Sequence, residues 1–266
     1  MKYEQGYKEG MRIIVFGDLH GSVPMVSKKI LSDTDLILNT GDFCAVNNKF
    51  REFQIKNNAR IKNLLNTGIS WQEAMRRILG NKTMNAFKNF SGGRWEKPVE
   101  KIISFGKPVL FVFGNADSPS LLNKLSKEKG NFISLHGKLL RFNSLNFVGI
   151  GDYIRPDREK TGKEIPEFER KIDELLKKTK ARRTVILSHY PPYGIMDEVN
   201  GIHRGLRFLS YLIRKHKPLL FVCGHIHEKR GIVRKGNTYI VNAGEAKKGG
   251  ILIEIQKTSV YASCLR

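Results

Sequence analysis

The sequence predicts an α/β fold, and three observations carry that prediction. Short apolar runs rich in β-branched residues alternate with stretches of helical period. Those runs end on Gly-Asp, Gly-Asn or a histidine. The last quarter of the chain then changes to strands joined by tight Gly-containing turns. Residues 12–16 (RIIVF) read as the first buried strand, stopping at Gly17, and 23–31 read as a helix. Residues 35–38 form a second strand running into Asn39-Thr40-Gly41-Asp42, and 109–113 (VLFVF) a third, ending at Gly114-Asn115. Residues 139–141 and 145–150 pair around Asn143-Ser144. Two further strands, 184–187 and 219–222, end at Ser188-His189 and Cys223-Gly224-His225, with helical patterns at 167–178 and 205–215 between the later strands. Residues 231–235, 238–242 and 251–256 read as antiparallel strands that close the sheet.

The chain has 266 residues, 40% of them hydrophobic, which suits one α/β domain and excludes a disordered chain. That domain is expected over 11–266, after a polar leader, 1–10, read as a loose tail without the apolar middle of a signal peptide. No apolar run is long enough to span a membrane. Cys44, Cys223 and Cys264 are scattered and lack CxxC spacing, which argues against a disulfide framework or zinc knuckle and for a reducing cytoplasm. Between Asp42 and the strand at 109 lie more than sixty residues, too many and too patterned for a plain loop. They read as a helical insertion over about 46–107, helical around 49–65 and 71–90. From 49 to 107 it carries 13 Lys or Arg against 4 Asp or Glu.

Over the whole chain, 47 Lys or Arg against 25 Asp or Glu give a net charge of +22. Such a balance favours anionic partners, among them nucleotides and nucleic acid, although scattered lysines also make an ordinary solvated surface.

Residues able to hold metal recur where apolar strands end: Asp18 and His20 in GDLHG, Asp42 in TGDF, Asn115 and Asp117 in GNAD, His189 in SHYPP, and His225 and His227 in GHIH. In open α/β sheets, ligands bind beyond the carboxyl ends of the strands, so five strands deliver oxygen and nitrogen donors to one edge. Two metals about 3.5–4 Å apart need a bridging carboxylate, for which Asp42 serves. Asp18, His20 and His227 would complete one set, and Asn115, His189 and His225 the other. Mixed carboxylate and imidazole donors suit Mn²⁺ foremost, with Fe, Zn or Ni as alternatives. Such a pair would activate a bridging hydroxide for in-line attack on phosphorus. Singly, each residue has a plainer explanation as a helix cap or turn residue; the ordered set across one chain is the signal.

GDLHG, GDF, GNAD, SHYPPYG and GHIHE resemble the five blocks of the calcineurin-like metallophosphoesterases. The resemblance implies a four-layer αββα sandwich, two mixed β-sheets flanked by helices. It implies two divalent metal ions, one held by Asp18, His20, Asp42 and His227 and the other by Asp42, Asn115, His189 and His225. Asp42, His20 and Asn115 are the positions expected to carry the reaction. The chain departs from the family pattern twice: Ala45 stands where a second Asp is usual, and Ala116 where a histidine commonly assists the leaving group. The second departure points away from monoesters with poor leaving groups, since a general acid is worth about 10²–10⁴-fold; here the chain resembles the subgroup with GNC or similar in this block, and that resemblance implies a phosphodiesterase. Asp117 is expected to order its loop, Glu228 to accept a hydrogen bond behind the metal histidines, and Asn242-Ala243-Gly244 to be structural. Arg155 could reach a phosphate. Tyr190 and Tyr193 could stack on a base, but packing beside the prolines is the expected role. The functional expectation is a metal-dependent phosphodiesterase acting on a phosphate ester, with no membrane partner and a homo-oligomer left open. A nuclease and a non-enzymatic scaffold on the same fold are the alternatives.

Overall fold

The computed structural model describes residues 10–44, 56–67, 69, 73–74, 76–80, 95–153 and 164–265. The expectations for the leader, for Ala45 and Arg155, and for most of 46–94 lie outside the described residues.

The strands divide between two six-stranded sheets. The first contains β1 (Met11–Phe16), β2 (Leu36–Asn39), β3 (Val109–Phe111) and β4 (Phe132–Ser134). These four run parallel. β13 (Ile251–Gln256) pairs antiparallel with β1, and β14 (Ser259–Cys264) with β13. The second sheet has a parallel centre of β6 (Leu145–Ile150), β7 (Thr184–Ser188), β10 (Leu220–Cys223) and β12 (Thr238–Asn242). Antiparallel β5 (Leu139–Phe142) and β11 (Gly231–Lys235) form its edges. A small hairpin, β8 (Glu198–Val199) with β9 (Ile202–His203), stands apart. The late strands expected to close one sheet therefore close two: β11–β12 in the second, β13–β14 in the first. At the β5–β6 turn, Asn143 and Ser144 both take positive φ, 43° and 64°, as in the type I′ turn of a two-residue hairpin.

Alternation along each strand builds the layers. Ile13, Val15, Leu36, Leu38 and Leu110 point to one face and meet Phe147, Val185, Leu187, Leu220 and Val222 of the other sheet, forming the central core. The opposite faces are covered by helices. Ile14, Phe16, Ile37 and Phe111 pack under α3 (Glu96–Ser104) and α4 (Pro119–Glu128) through Val99, Ile102 and Leu122. Ile150, Ile186 and Phe221 pack under α5 (Glu164–Lys177) and α6 (Arg207–His216) through Ile172, Leu176, Leu209, Leu212 and Ile213. These positions fall at helical spacing, and each fully buried Leu or Ile contributes about 1.5–3 kcal/mol. The result is the expected four-layer αββα sandwich.

The helix expected over 23–31 is α1 (Lys28–Ser32) only. Pro24 disfavours helical backbone at Val23, and Ser27 caps the helix by accepting the Ile30 amide at 3.3 Å. Between α1 and α3 lies α2 (Asn58–Asn66). The stretch read as an insertion ends in α3, which is part of the first sheet's own helical layer. No helix among the described residues is long and apolar enough to cross a membrane.

Candidate metal centre

The carboxyl ends of β1, β2, β3, β7 and β10 meet at one edge of the sandwich, where both sheets contribute. Glycines let the loops close on each other: a methyl on Gly114 would overlap Asp42 Oδ1, and one on Gly224 would overlap Asp18 Oδ1 and Thr40 Oγ1. Three of the side chains named above sit on left-handed backbone, His20 at φ 45°, Asp42 at 54° and His225 at 67°. Non-glycine residues in this region cost about 1–3 kcal/mol each and cluster at functional sites.

Asp18, 1% exposed, follows β1. Its Oδ1 accepts the Thr40 hydroxyl at 3.2 Å, and its Oδ2 accepts the His225 amide at 2.8 Å and lies 2.9 Å from His227 Nε2. Asp42, 3% exposed, follows β2, and its Oδ1 accepts the Ala116 amide at 2.7 Å. Asp42 Oδ2 lies 3.7 Å from His20 Nε2 and 3.8 Å from His189 Nε2. Among the described residues, no Lys or Arg pairs with Asp18 or Asp42. Two buried carboxylates backed only by imidazoles, a hydroxyl and amides call for a cation, because unpaired buried charge is costly.

The histidines are oriented from behind. His20 Nδ1 lies 3.3 Å from the Cys44 carbonyl and His189 Nδ1 2.9 Å from the Thr40 carbonyl, so each Nδ1 carries a proton and, in the neutral ring, each Nε2 offers a lone pair. His189 Nε2 then faces Asn115 Oδ1 at 2.8 Å, acceptor against acceptor. A cation between them, a proton on Nε2, or an amide turned to donate resolves that contact. Burial works against charging His189, but Asp42 and Asp18 outweigh it and raise its pKa. His225 is the reverse case: burial, then repulsion from His189, pushes it down to about 3, which leaves a neutral ring able to ligate. The His225 ring packs 4.9 Å from His189 and 4.6 Å from Tyr190.

The structure therefore brings all seven residues to one place. Asp18, His20 and His227 form one cluster of donor atoms within 4.8 Å of one another, and Asp18, Asp42 and His189 another. His225 and Asn115 reach the same place through the ring contact and hydrogen bond already given. The donor set fits divalent metal ions. Asp117 orders the loops, as expected: its carboxylate accepts amides from Asp42 (2.8 Å), Phe43 (2.7 Å), Cys44 (3.4 Å) and Gly114 (2.8 Å). Burial and the Asp42 charge push it up to about 7, against the pull of those amides, so a proton there competes with a loop bond. Asn242 is structural too. Its Nδ2 donates to the Ile226 carbonyl at 3.0 Å and its Oδ1 accepts the Gly244 amide at 2.9 Å. Asn39 does the same for the other sheet, donating to the Phe16 and Gly17 carbonyls at 3.2 Å each and accepting the Gly41 amide at 2.8 Å.

One expectation needs correction, and the expected packing of the tyrosines is met. The carboxylate behind His227 is Glu245, whose Oε1 lies 3.2 Å from His227 Nδ1, rather than Glu228. Its only sequence signal is its place directly after the Asn242-Ala243-Gly244 turn. Tyr190, 9% exposed, donates its hydroxyl to Asp152 at 3.2 Å. It packs beside the histidines, and Tyr193 lies under the Arg207 guanidinium at 4.2 Å, so packing is what both rings do.

This fold and donor set suit metal-dependent phosphoester hydrolysis. The chain belongs to the calcineurin-like phosphoesterase family, whose model matches residues 11–229. An uncharacterized protein of Methanocaldococcus jannaschii is 31% identical over 163 residues, 56% of this chain and 71% of that protein. A dimetal phosphatase from Danio rerio superposes with a TM-score of 0.54 at 10% identity, covering 96% of this chain and 99% of that one. A putative 5'-nucleotidase from Staphylococcus aureus, in complex with alpha-ketoglutarate, gives 0.53 at 12% identity, covering 96% of this chain and 53% of that one. At such identities both structures speak for the fold alone.

Proposed function

We propose that this chain is a two-metal phosphodiesterase. Asp18, His20, Asp42 and His227 would hold one divalent cation, and Asp42, Asn115, His189 and His225 the second. The observation that carries this reading is the placement of Asp42 Oδ2, 3.7 Å from His20 Nε2 of one set and 3.8 Å from His189 Nε2 of the other. Two such cations, with Mn²⁺ the favoured metal, supply neutralising charge for phosphoryl oxygens and a lowered pKa for water. The protein's own groups do the rest. Asp18 and Asp42 fix the charge of the site, and the Cys44 and Thr40 carbonyls hold His20 and His189 with Nε2 facing inward. At Ala116 the backbone amide is committed to Asp42 and the side chain is a methyl, so no imidazole there can hand a proton to a leaving alkoxide. Esters whose leaving group departs without strong acid assistance fit this site best, and the likeness to family members lacking that histidine favours diesters.

A nuclease is the second reading, supported by the net charge of +22. It requires polynucleotide binding that weakens steeply with salt.

The test is hydrolysis of bis-p-nitrophenyl phosphate and p-nitrophenyl phosphate with Mn²⁺, for the native protein and Asp42→Ala. Diester turnover lost in Asp42→Ala, with a weaker monoester rate, is expected. Equal diester turnover in Asp42→Ala would sink the two-metal reading, and a dominant monoester rate would sink the diester preference.

A further inference from the structure

We infer that Glu245 is a positioning residue for one side of the metal centre, fixing the tautomer and tilt of His227 so that Nε2 faces inward. The inference rests on the two-metal reading above.

Three observations carry it. First, Glu245 is built into the site rather than lying near it. The β1 and β12 ends are joined where the Asp18 amide donates to the Gly244 carbonyl at 2.9 Å and the Ala246 amide donates to the Asp18 carbonyl at 3.1 Å. Residue 245 therefore lies directly beside Asp18, in a bridge with it. Second, both carboxylate oxygens are engaged. Oε1 lies 3.2 Å from His227 Nδ1 and Oε2 lies 2.8 Å from Lys247 Nζ, in a side chain only 12% exposed. Third, His227 has a carboxylate at each nitrogen, because Nε2 lies 2.9 Å from Asp18 Oδ2. A neutral imidazole donates at one nitrogen and offers a lone pair at the other. With its proton on Nδ1, towards Glu245, His227 would keep its lone pair on the Asp18 side, where a cation would lie.

The other histidines differ in kind. His20 and His189 are oriented by neutral backbone carbonyls of Cys44 and Thr40. Glu245 Oε1 lies 3.2 Å from the outward nitrogen of His227, closer than the 3.9 Å from Asp18 Oδ1 to His189 Nδ1, so the cation held with Asp18, His20 and His227 would gain the stronger charge support from behind. Carboxylates behind metal-bound histidines raise ligand basicity, and their removal costs about 10–100-fold in affinity. Lys247, 61% exposed, holds Glu245 from the solvent side without touching the histidine.

The experiment is calorimetric titration of metal-free protein with Mn²⁺, read as two binding steps, alongside circular dichroism of each variant. Glu245→Ala should weaken one step by about 10–100-fold and leave the other unchanged. Glu245→Gln, which keeps an acceptor oxygen but drops the charge, should fall between, and Lys247→Ala should resemble the native protein. Two unchanged steps in Glu245→Ala would overturn the inference while leaving the two-metal reading intact. A loss in Lys247→Ala equal to that in Glu245→Ala would overturn it also, by showing a general charge effect. Should Glu245→Ala fail to fold, Glu245→Gln decides: a weakened single step supports the inference and unchanged affinity overturns it. Native protein that takes up no Mn²⁺ would remove the two-metal reading, and the inference with it.

Discussion

At the scale of the residue, two neighbouring positions in the GNAD loop do opposite work. Asp117 receives four backbone amides and thereby holds the loops that carry Asp42 and Asn115. Replacing it with Ala leaves those buried donors unpaired, each at about 1–3 kcal/mol if no water reaches it. Asp117→Ala should therefore lose about 3 kcal/mol or more of stability in urea unfolding, and metal affinity with it. A loss under about 1 kcal/mol would show that the loops hold without it. Ala116 is the reverse case, a position where the proposed site has no side chain able to donate a proton. Ala116→His should raise turnover of an alkyl phosphomonoester by about tenfold or more, since general acids contribute about 10²–10⁴ when well placed. An unchanged rate would mean that leaving-group protonation does not limit this site. The seven candidate ligands were legible because each stands where an apolar run stops. Glu245 was not, because a lone acid three residues past Asn242 looks like any loop residue until the β12 and β1 ends are seen side by side.

At the scale of the element, legibility followed burial. β1, β2, β7 and β10 are nearly or wholly buried along their length, so they read as continuous apolar runs. β14 faces solvent along most of its length, and β4 has only three residues, so neither left a period to find. The division into two sheets was not written in the strands themselves, since a strand covered on both faces looks the same whether a helix or a second sheet does the covering; only the family resemblance supplied it. The outer helices lock to each other as well as to the sheet. On α5, Asp173 accepts from Lys215 and His216 of α6 at 2.8 Å each. Burial would raise the Asp173 pKa, but those hydrogen bonds outweigh it and hold it down to about 2. A carboxylate with a depressed folded pKa contributes stability above its unfolded value, about 3.9, and loses it as pH falls towards the folded one. The gap in urea midpoint between native protein and Asp173→Asn should thus be present at about pH 6 and shrink by about pH 3. A gap that stays constant between those values would rule out the ion pair as its source.

At the scale of the whole molecule, the candidate centre joins the two halves of the sandwich. Asp18, His20, Asp42 and Asn115 follow strands of the first sheet, while His189, His225 and His227 follow strands of the second. Away from the site the sheets meet mainly through apolar packing, and at the site edge the buried Asp18 and Asp42 of the first sheet face His189 and His227 of the second. A cation bound there would offset those two buried negative charges while taking ligands from both sheets, so metal binding and global stability would be linked. Metal at a hundredfold excess over its dissociation constant adds about 2.7 kcal/mol to a protein that binds it only when folded. For a domain near this size, that corresponds to a rise in melting temperature of about 5–10 °C. Calorimetric scans with Mn²⁺ and with EDTA should show such a rise in the native protein. Asp42→Ala, which removes the carboxylate facing both ligand sets, should melt at nearly the same temperature under both conditions. An equal rise in Asp42→Ala would place the stabilising metal elsewhere, whereas a rise in the native protein alone would mean that the same carboxylate that organises the chemistry also holds the two sheets together.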